Sequence, residues 1–329
     1  MKRLNFGKIV SGILLLVIIG GGFLAIVFRQ KISDFVKANN FVPSNEMREL
    51  IASIKFQPES EIIVKATSPT LLNRQNFNQK CKNNFEGGSV LGCYKADEIF
   101  IFDIDNSELD GIKQTTLAHE ALHAVWSRTP EAEKSRLKNL LNADYERIKT
   151  PKLEKTMSAY AVTQPGEHEN ELHSILGTEF FDLSPELEAH YSQIFHNRRA
   201  VVEFHKKYSE KFEKLEQDYD RLKTEVEISK KEIEAAQQDY SAKIEAVNSQ
   251  IVDFNQKAKN GDFSSQWEFG AERSKLLQKT RFLDDYREQI NSQIANFNAK
   301  IKELNNISIK SQELHQAMDS NLPESSPSL

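Results

Sequence analysis

Residues 90–104 read VLGCYKADEIFIFDI, and residues 115–126 read TTLAHEALHAVW. The first stretch, with Ile99, Ile101 and Phe102 among other β-formers, reads as one or two strands; from Leu117 the apolar spacing turns helical and stays so. Upstream, Glu61 to Thr67 (EIIVKAT) reads as a further strand. Strands followed by helices predict an α+β domain over residues 60–200, long enough for one hydrophobic core. Before it, Ser44 to Lys55 has the form of a short amphipathic helix. Ser44 is placed to cap it, and Met47, Leu50, Ile51 and Ile54 recur at helical spacing.

Further outward the chain changes character in both directions. Residues 9–28 (IVSGILLLVIIGGGFLAIVF) carry no charge, and roughly 20 such residues match a hydrocarbon core of about 30 Å. No small-residue cleavage site follows, so the stretch reads as an uncleaved single-pass transmembrane helix contacting the lipid bilayer. Residues 1–8 form a short tail before it, and residues 29–59 a juxtamembrane linker and helix. Lys2, Arg3 and Lys8 are balanced by Arg29, Lys31 and Lys37 across the span. The reading adopted has the tail inside and the bulk of the chain on the extracytoplasmic side. Cys81 and Cys93 flank a Gly-Gly stretch and either meet as a disulfide across a small loop or stand as two unrelated thiols.

Beyond Arg199 a seven-residue apolar beat sets in. Phe212, Tyr219, Val226, Ile233, Tyr240, Val247 and Phe254 keep it, and after a break at Lys259-Asn260-Gly261-Asp262 it resumes through Leu276, Leu283, Ile290, Phe297 and Leu304. Residues 201–318 are therefore expected as an antiparallel coiled-coil hairpin, suited to self-association or partner binding. Residues 319–329 are expected as a disordered tail. The whole chain of 329 residues has 43 basic and 48 acidic side chains, a formal charge of −5. Without an excess of cations to neutralise phosphates, nucleic acid is excluded as a partner.

His119-Glu120-Ala121-Leu122-His123 carries the chemistry. Positions i and i+4 share a helix face, so both imidazoles can bind one Zn²⁺, with Glu120 beside the open coordination position. A catalytic zinc needs a third protein ligand. Downstream, Thr163 is expected to cap a helix with Pro165 in its first turn, on which Glu167, Glu171, Ser174 and Thr178 form one polar line.

These residues resemble the zincin metallopeptidases, and within them the gluzincin branch, whose HExxH is followed by Glu-x-x-x-Asp on a later helix. Glu167-x-x-x-Glu171 is similar to that pattern with Glu replacing Asp, which implies Glu167 as the third ligand and Glu171 behind a ligating histidine. Asn170-Glu171-Leu172-His173-Ser174 also resembles the thermolysin third-ligand helix, which implies Glu171 instead; Glu167 is the preferred of the two. The stretch from Tyr160 to Glu171 is similar to lethal-factor-like peptidases, which implies that Tyr160 assists the reaction. His168, His173 and His190 are weaker candidate donors to the oxyanion. The resemblance implies a zincin-like domain that hydrolyses a peptide or protein substrate, with Glu120 as general base and Ile99–Ile104 as the edge strand receiving an extended peptide. The expected whole is a membrane-anchored zinc peptidase. Its alternative is a membrane-tethered coiled-coil scaffold carrying a non-catalytic zincin domain, which the retention of Glu120 disfavours.

Overall fold

Helix formation dominates the chain because most segments carry amphipathic spacing that outweighs local β-propensity, and Ser44, Asn73 and Thr150 add side-chain N-caps. The computed structural model describes residues 28–81 and 90–321. Within them lie α1 (Arg29–Asn40), α2 (Asn45–Ile54), α3 (Pro58–Ala66), β1 (Thr70–Leu72), α4 (Arg74–Lys80), β2 (Gly92–Lys95) and β3 (Glu98–Phe102). Next come α5 (Ile112–Arg128), α6 (Glu131–Ile148), α7 (Pro151–Thr163), α8 (His168–Glu179), α9 (Pro185–Tyr191), α10 (Arg198–Asn260) and α11 (Gln266–Met318). The chain divides into two units, one comprising residues up to Lys211 and from Leu314 onward, the other Phe212–Glu313.

In the first unit α5 is the central element. Leu117, Ala118, Ala121, Leu122 and Ala124 are wholly buried on it. It packs against α2, the sheet and α8, so nearly its full circumference meets protein. Helix α2 forms as its sequence predicts: Ser44 Oγ accepts from Met47 N–H at 3.2 Å, and Met47, Leu50, Ile51 and Ile54 enter the core. The sheet has the order β1-β3-β2, with β1 parallel and β2 antiparallel to β3. A two-residue turn joins β2 to β3 through Ala96 and Asp97, both at positive φ, which suits the right-handed twist of the strands. Arg128, at the end of α5, is buried against Asp34 of α1 at 2.8 Å and Asp97 of this turn at 2.7 Å. One guanidinium thus ties three elements together.

The second unit is an antiparallel helix pair. Leu222, Ile233 and Val247 of α10 and Leu283 and Ile290 of α11 are buried in it. Tyr240 meets Tyr286 with ring centroids 5.9 Å apart, and Lys300 reaches Glu225 at 3.0 Å. Helix α10 stops at the Gly261 break, where φ is 73°, and the rings of Phe254, Phe263 and Phe269 pack together around the reversal.

The expected α+β zincin-like fold is overturned: 78% of the described residues are helical, and strand, at 5%, is confined to one three-stranded sheet. Of residues 61–67, read as a strand, 61–66 lie in α3 instead and Thr67 is its C-cap. Pro58 opens that helix, acids occupy its first turn and Lys65 its last, and these outweigh the β-branched Ile-Ile-Val run. Strand β3, expected at the edge, is central, and β1 and β2 are the edges. Within residues 29–59, expected as a linker and helix, the expected helix is α2 and α1 precedes it. The single-pass membrane placement is also corrected, since among the described residues no helix is long and apolar enough to cross a membrane. Apart from Phe28, the span at 9–28 lies outside the described residues, as do residues 1–8, the Gly-Gly stretch between the cysteines and residues 322–329 of the expected tail.

Candidate metal centre

Two helices build the centre. His119 and His123, one turn apart on α5, project to the same side, with ring centroids 4.8 Å apart and planes at 78°. Helix α8 brings Glu171 from its first turn. Its Oε2 lies 3.6 Å from His119 Nε2 and its Oε1 3.7 Å from His123 Nε2. Gly177 permits this approach, because a Cβ there would stand 2.5 Å from Leu122 Cδ1 of α5.

Contacts of 3.6 and 3.7 Å are too long for hydrogen bonds. They suit donors around a common ion, for which metal bonds of about 2.1 Å imply tetrahedral donor separations of roughly 3.4 Å. One ligand atom from each of the three side chains lies within 4.8 Å of the others, so His119, His123 and Glu171 form a possible metal-binding triad. The fit has a second sign in Glu171 Oε2, which is buried and makes no hydrogen bond. A buried, unpaired carboxylate oxygen is costly unless a cation satisfies it.

The electrostatics agree. Burial works to raise the Glu171 carboxyl, but the two imidazoles outweigh it and hold the group below the ordinary carboxylate value. Burial likewise pulls His119 down, while Glu171 and Glu120 reverse the effect and bring it to about 9.

Around the ligands, His123 Nδ1 meets Asn170 Oδ1 at 2.9 Å and Ser174 Oγ at 3.3 Å. With the proton on Nδ1, the imidazole donates to Asn170 and leaves Nε2 facing Glu171. Asn170 Nδ2 in turn donates to Glu167 Oε2 at 2.8 Å. The structure therefore groups Glu171, not the preferred Glu167, with the histidines. Glu167 is exposed at the N-cap of α8 because the helix begins at His168 rather than after Thr163, which is the last residue of α7.

Glu120 is 6% exposed, and burial raises its carboxyl despite the opposing pull of His123 and His119. The backbone N–H of Tyr94 donates to it. Strand β2 comes this close through Gly92, where a Cβ would lie 2.7 Å from Glu120 Oε1 and 2.6 Å from Thr116 Cγ2. A disulfide joins the next residue, Cys93, to Cys81, with Cα atoms 5.9 Å apart.

A cleft of about 1260 Å³ opens over the triad, bounded by β2, α5, the first turns of α6, the end of α7 and the start of α8. Tyr160 lines it from α7. Burial, joined by the charges of Glu171 and Glu120, pushes its hydroxyl well above the ordinary value, so it stays protonated and can donate. His168, His173 and His190 are not in the cleft wall. His168 packs edge-on against Tyr145, and His173 and His190 bond each other through their Nε2 atoms at 2.8 Å. Asn170, Gly92, Glu179 and Tyr208 are cleft residues that sequence reasoning did not find. Of these only Asn170 had a local signal, its place beside a candidate ligand. Compared with known proteins, the chain matches no family model, no curated protein and no solved structure.

Proposed function

We propose that the protein is a zinc-dependent peptidase. The observation that carries the reading is the coincidence of a two-histidine, one-carboxylate triad with a buried glutamate next to a ligand, both facing a cleft of about 1260 Å³. His119, His123 and Glu171 would hold the metal; this donor set, two imidazoles and a carboxylate with an open position, is the one catalytic zinc uses. When bound, zinc supplies Lewis acidity that lowers the pKa of water towards about 7 and polarises a carbonyl.

The remaining work falls to the chain. Glu120, held by Tyr94 N–H and raised by burial, accepts the proton of the attacking water and passes it to the leaving amine. Tyr160, kept protonated, donates to the oxyanion. Asn170 fixes the His123 tautomer, and Glu167 steadies Asn170. The edge position of β2 suits pairing with an extended peptide beside Glu120.

The test is metal content and peptide hydrolysis of the purified chain, wild type beside Glu120→Gln. We expect zinc in both and hydrolysis reduced by about 10²–10⁴-fold in the variant. Wild-type protein that binds no zinc ends the reading.

A further inference from the structure

Six carboxylates and three ammonium groups line the cleft. Two of the lysines are already engaged, Lys134 with Glu131 at 2.9 Å and Lys138 with Glu169 at 2.5 Å. Of the remaining acids, Glu120 and Glu171 belong to the centre and Glu167 holds Asn170. Glu179 is left over. It ends α8, eight residues beyond Glu171, which is about 12 Å along the helix axis.

At that end of the cleft the wall is completed by α10, whose first turns belong to the same unit. Tyr208 lines the cleft, its hydroxyl 3.1 Å from His205 Nδ1, and His205 Nε2 lies 3.8 Å from Glu179 Oε2. That contact neutralises the carboxylate only while His205 is protonated. The Glu179 side chain keeps 34% of its surface exposed, so it remains open to a ligand.

We infer that Glu179, with Tyr208 beside it and His205 positioning it, is a specificity subsite for a cationic side chain, so that the preferred substrates are peptides bearing Lys or Arg near the scissile bond. This inference rests on the peptidase reading. A carboxylate next to an aromatic ring is a complementary surface for an ammonium or guanidinium group, by charge and by cation–π attraction. An extended peptide advances about 3.3 Å per residue, and a Lys or Arg side chain reaches several ångströms further. The recognised residue therefore lies two or three positions from the cleaved bond.

The experiment uses the zinc-loaded full chain and a set of fluorogenic peptides identical except for Lys, Leu or Glu at each position flanking the scissile bond. At one position Lys is expected to exceed Leu by roughly tenfold in kcat/KM, and the preference to shrink with added salt. Glu179→Gln is expected to bring the Lys-to-Leu ratio to within about threefold of unity, and Glu179→Lys to turn the preference towards Glu. Zinc content equal to wild type shows that the variants are folded, and the salt series needs no variant at all. Hydrolysis without a cation preference, or a preference that survives Glu179→Gln, overturns the subsite and leaves the peptidase reading standing. Zinc-loaded protein that cleaves no member of the set overturns both.

Discussion

Replacing Glu171 by Gln removes one charge and almost no volume, so its effect on the centre is electrostatic and scales with the distances there. A carboxylate and an imidazolium 3.6 Å apart attract each other by roughly 5 kcal/mol at an effective dielectric constant of about 20. Burial cancels part of this, and the net, with Glu120 contributing, is a His119 pKa of about 9 against an ordinary 6.5. The metal-free protein accordingly holds a proton on His119 at pH 7.5, and a metal that needs the neutral ring must displace it. Zinc binding to wild type at pH 7.5 is therefore expected to release about one proton from this site. Affinity should rise about tenfold per pH unit and level off above about 9. In Glu171→Gln the histidine loses its main partner, so less proton is released at pH 7.5. Affinity nevertheless falls by at least about 100-fold, because a ligand is gone. Glu167→Gln acts only through Asn170 and is expected to cost no more than about tenfold. Calorimetric titration against a competing chelator, in two buffers of different ionisation enthalpy, reads both quantities. If Glu171→Gln binds zinc within tenfold of wild type, or loses less than Glu167→Gln, the ligand assignment is refuted.

Gly92→Ala forces a methyl against Thr116 and Glu120, and is expected to lower kcat on the order of 10²-fold with zinc content unchanged, measured by steady-state kinetics beside metal analysis. Removing the Cys81–Cys93 disulfide, whose partners are 12 residues apart, is expected to cost about 3 kcal/mol, a fall in Tm on the order of 5–10 °C by calorimetry of Cys81→Ser/Cys93→Ser. His190 is held down to about 4, chiefly by burial, so its neutral form favours the fold. That stability is complete above the unfolded value of about 6.5 and is lost as pH falls from there through about 4, with a span on the order of 3 kcal/mol. Denaturant unfolding across that window should show the loss in wild type and a flatter profile in His190→Gln.

The features readable from the sequence are those decided within a turn or two of chain. His119 and His123 share a face by their spacing, Ser44 caps α2 through its own hydroxyl, and the apolar beat stops where Gly261 ends α10. The third ligand was not readable in this way. Glu167 and Glu171 are one turn apart and would share a face if the helix began after Thr163. The chain instead reverses at Gly166, with φ 97°, and Glu167 becomes a cap outside the helix. Where that turn falls is fixed by the packing of α7 and α8, and a polar periodicity is the same in either register. The edge strand was hidden for a related reason. Ile99, Ile101 and Phe102 are apolar because both faces of β3 are covered, Ile99 and Ile101 in the core with α5 and Phe102 against Phe77 of α4, while the pairing of its edges with β1 and β2 leaves no local mark.

Two neighbours of α5 approach it through a residue without a side chain. Gly177 brings α8 against Leu122 and sets Glu171 before the imidazoles; Gly92 brings β2 against Thr116 and sets the Tyr94 N–H on Glu120. Ligand and base are therefore positioned by separate elements packed on one buried helix, and the two contacts are independent in the chain. A methyl at either glycine meets side-chain atoms at 2.5 to 2.7 Å, so either those side chains or the approaching element must shift. Such a shift at Gly177 displaces a metal ligand, whereas one at Gly92 displaces the base and leaves the triad in place. Metal affinity and turnover are for that reason separable by substitutions at two positions that supply neither a metal ligand nor the base.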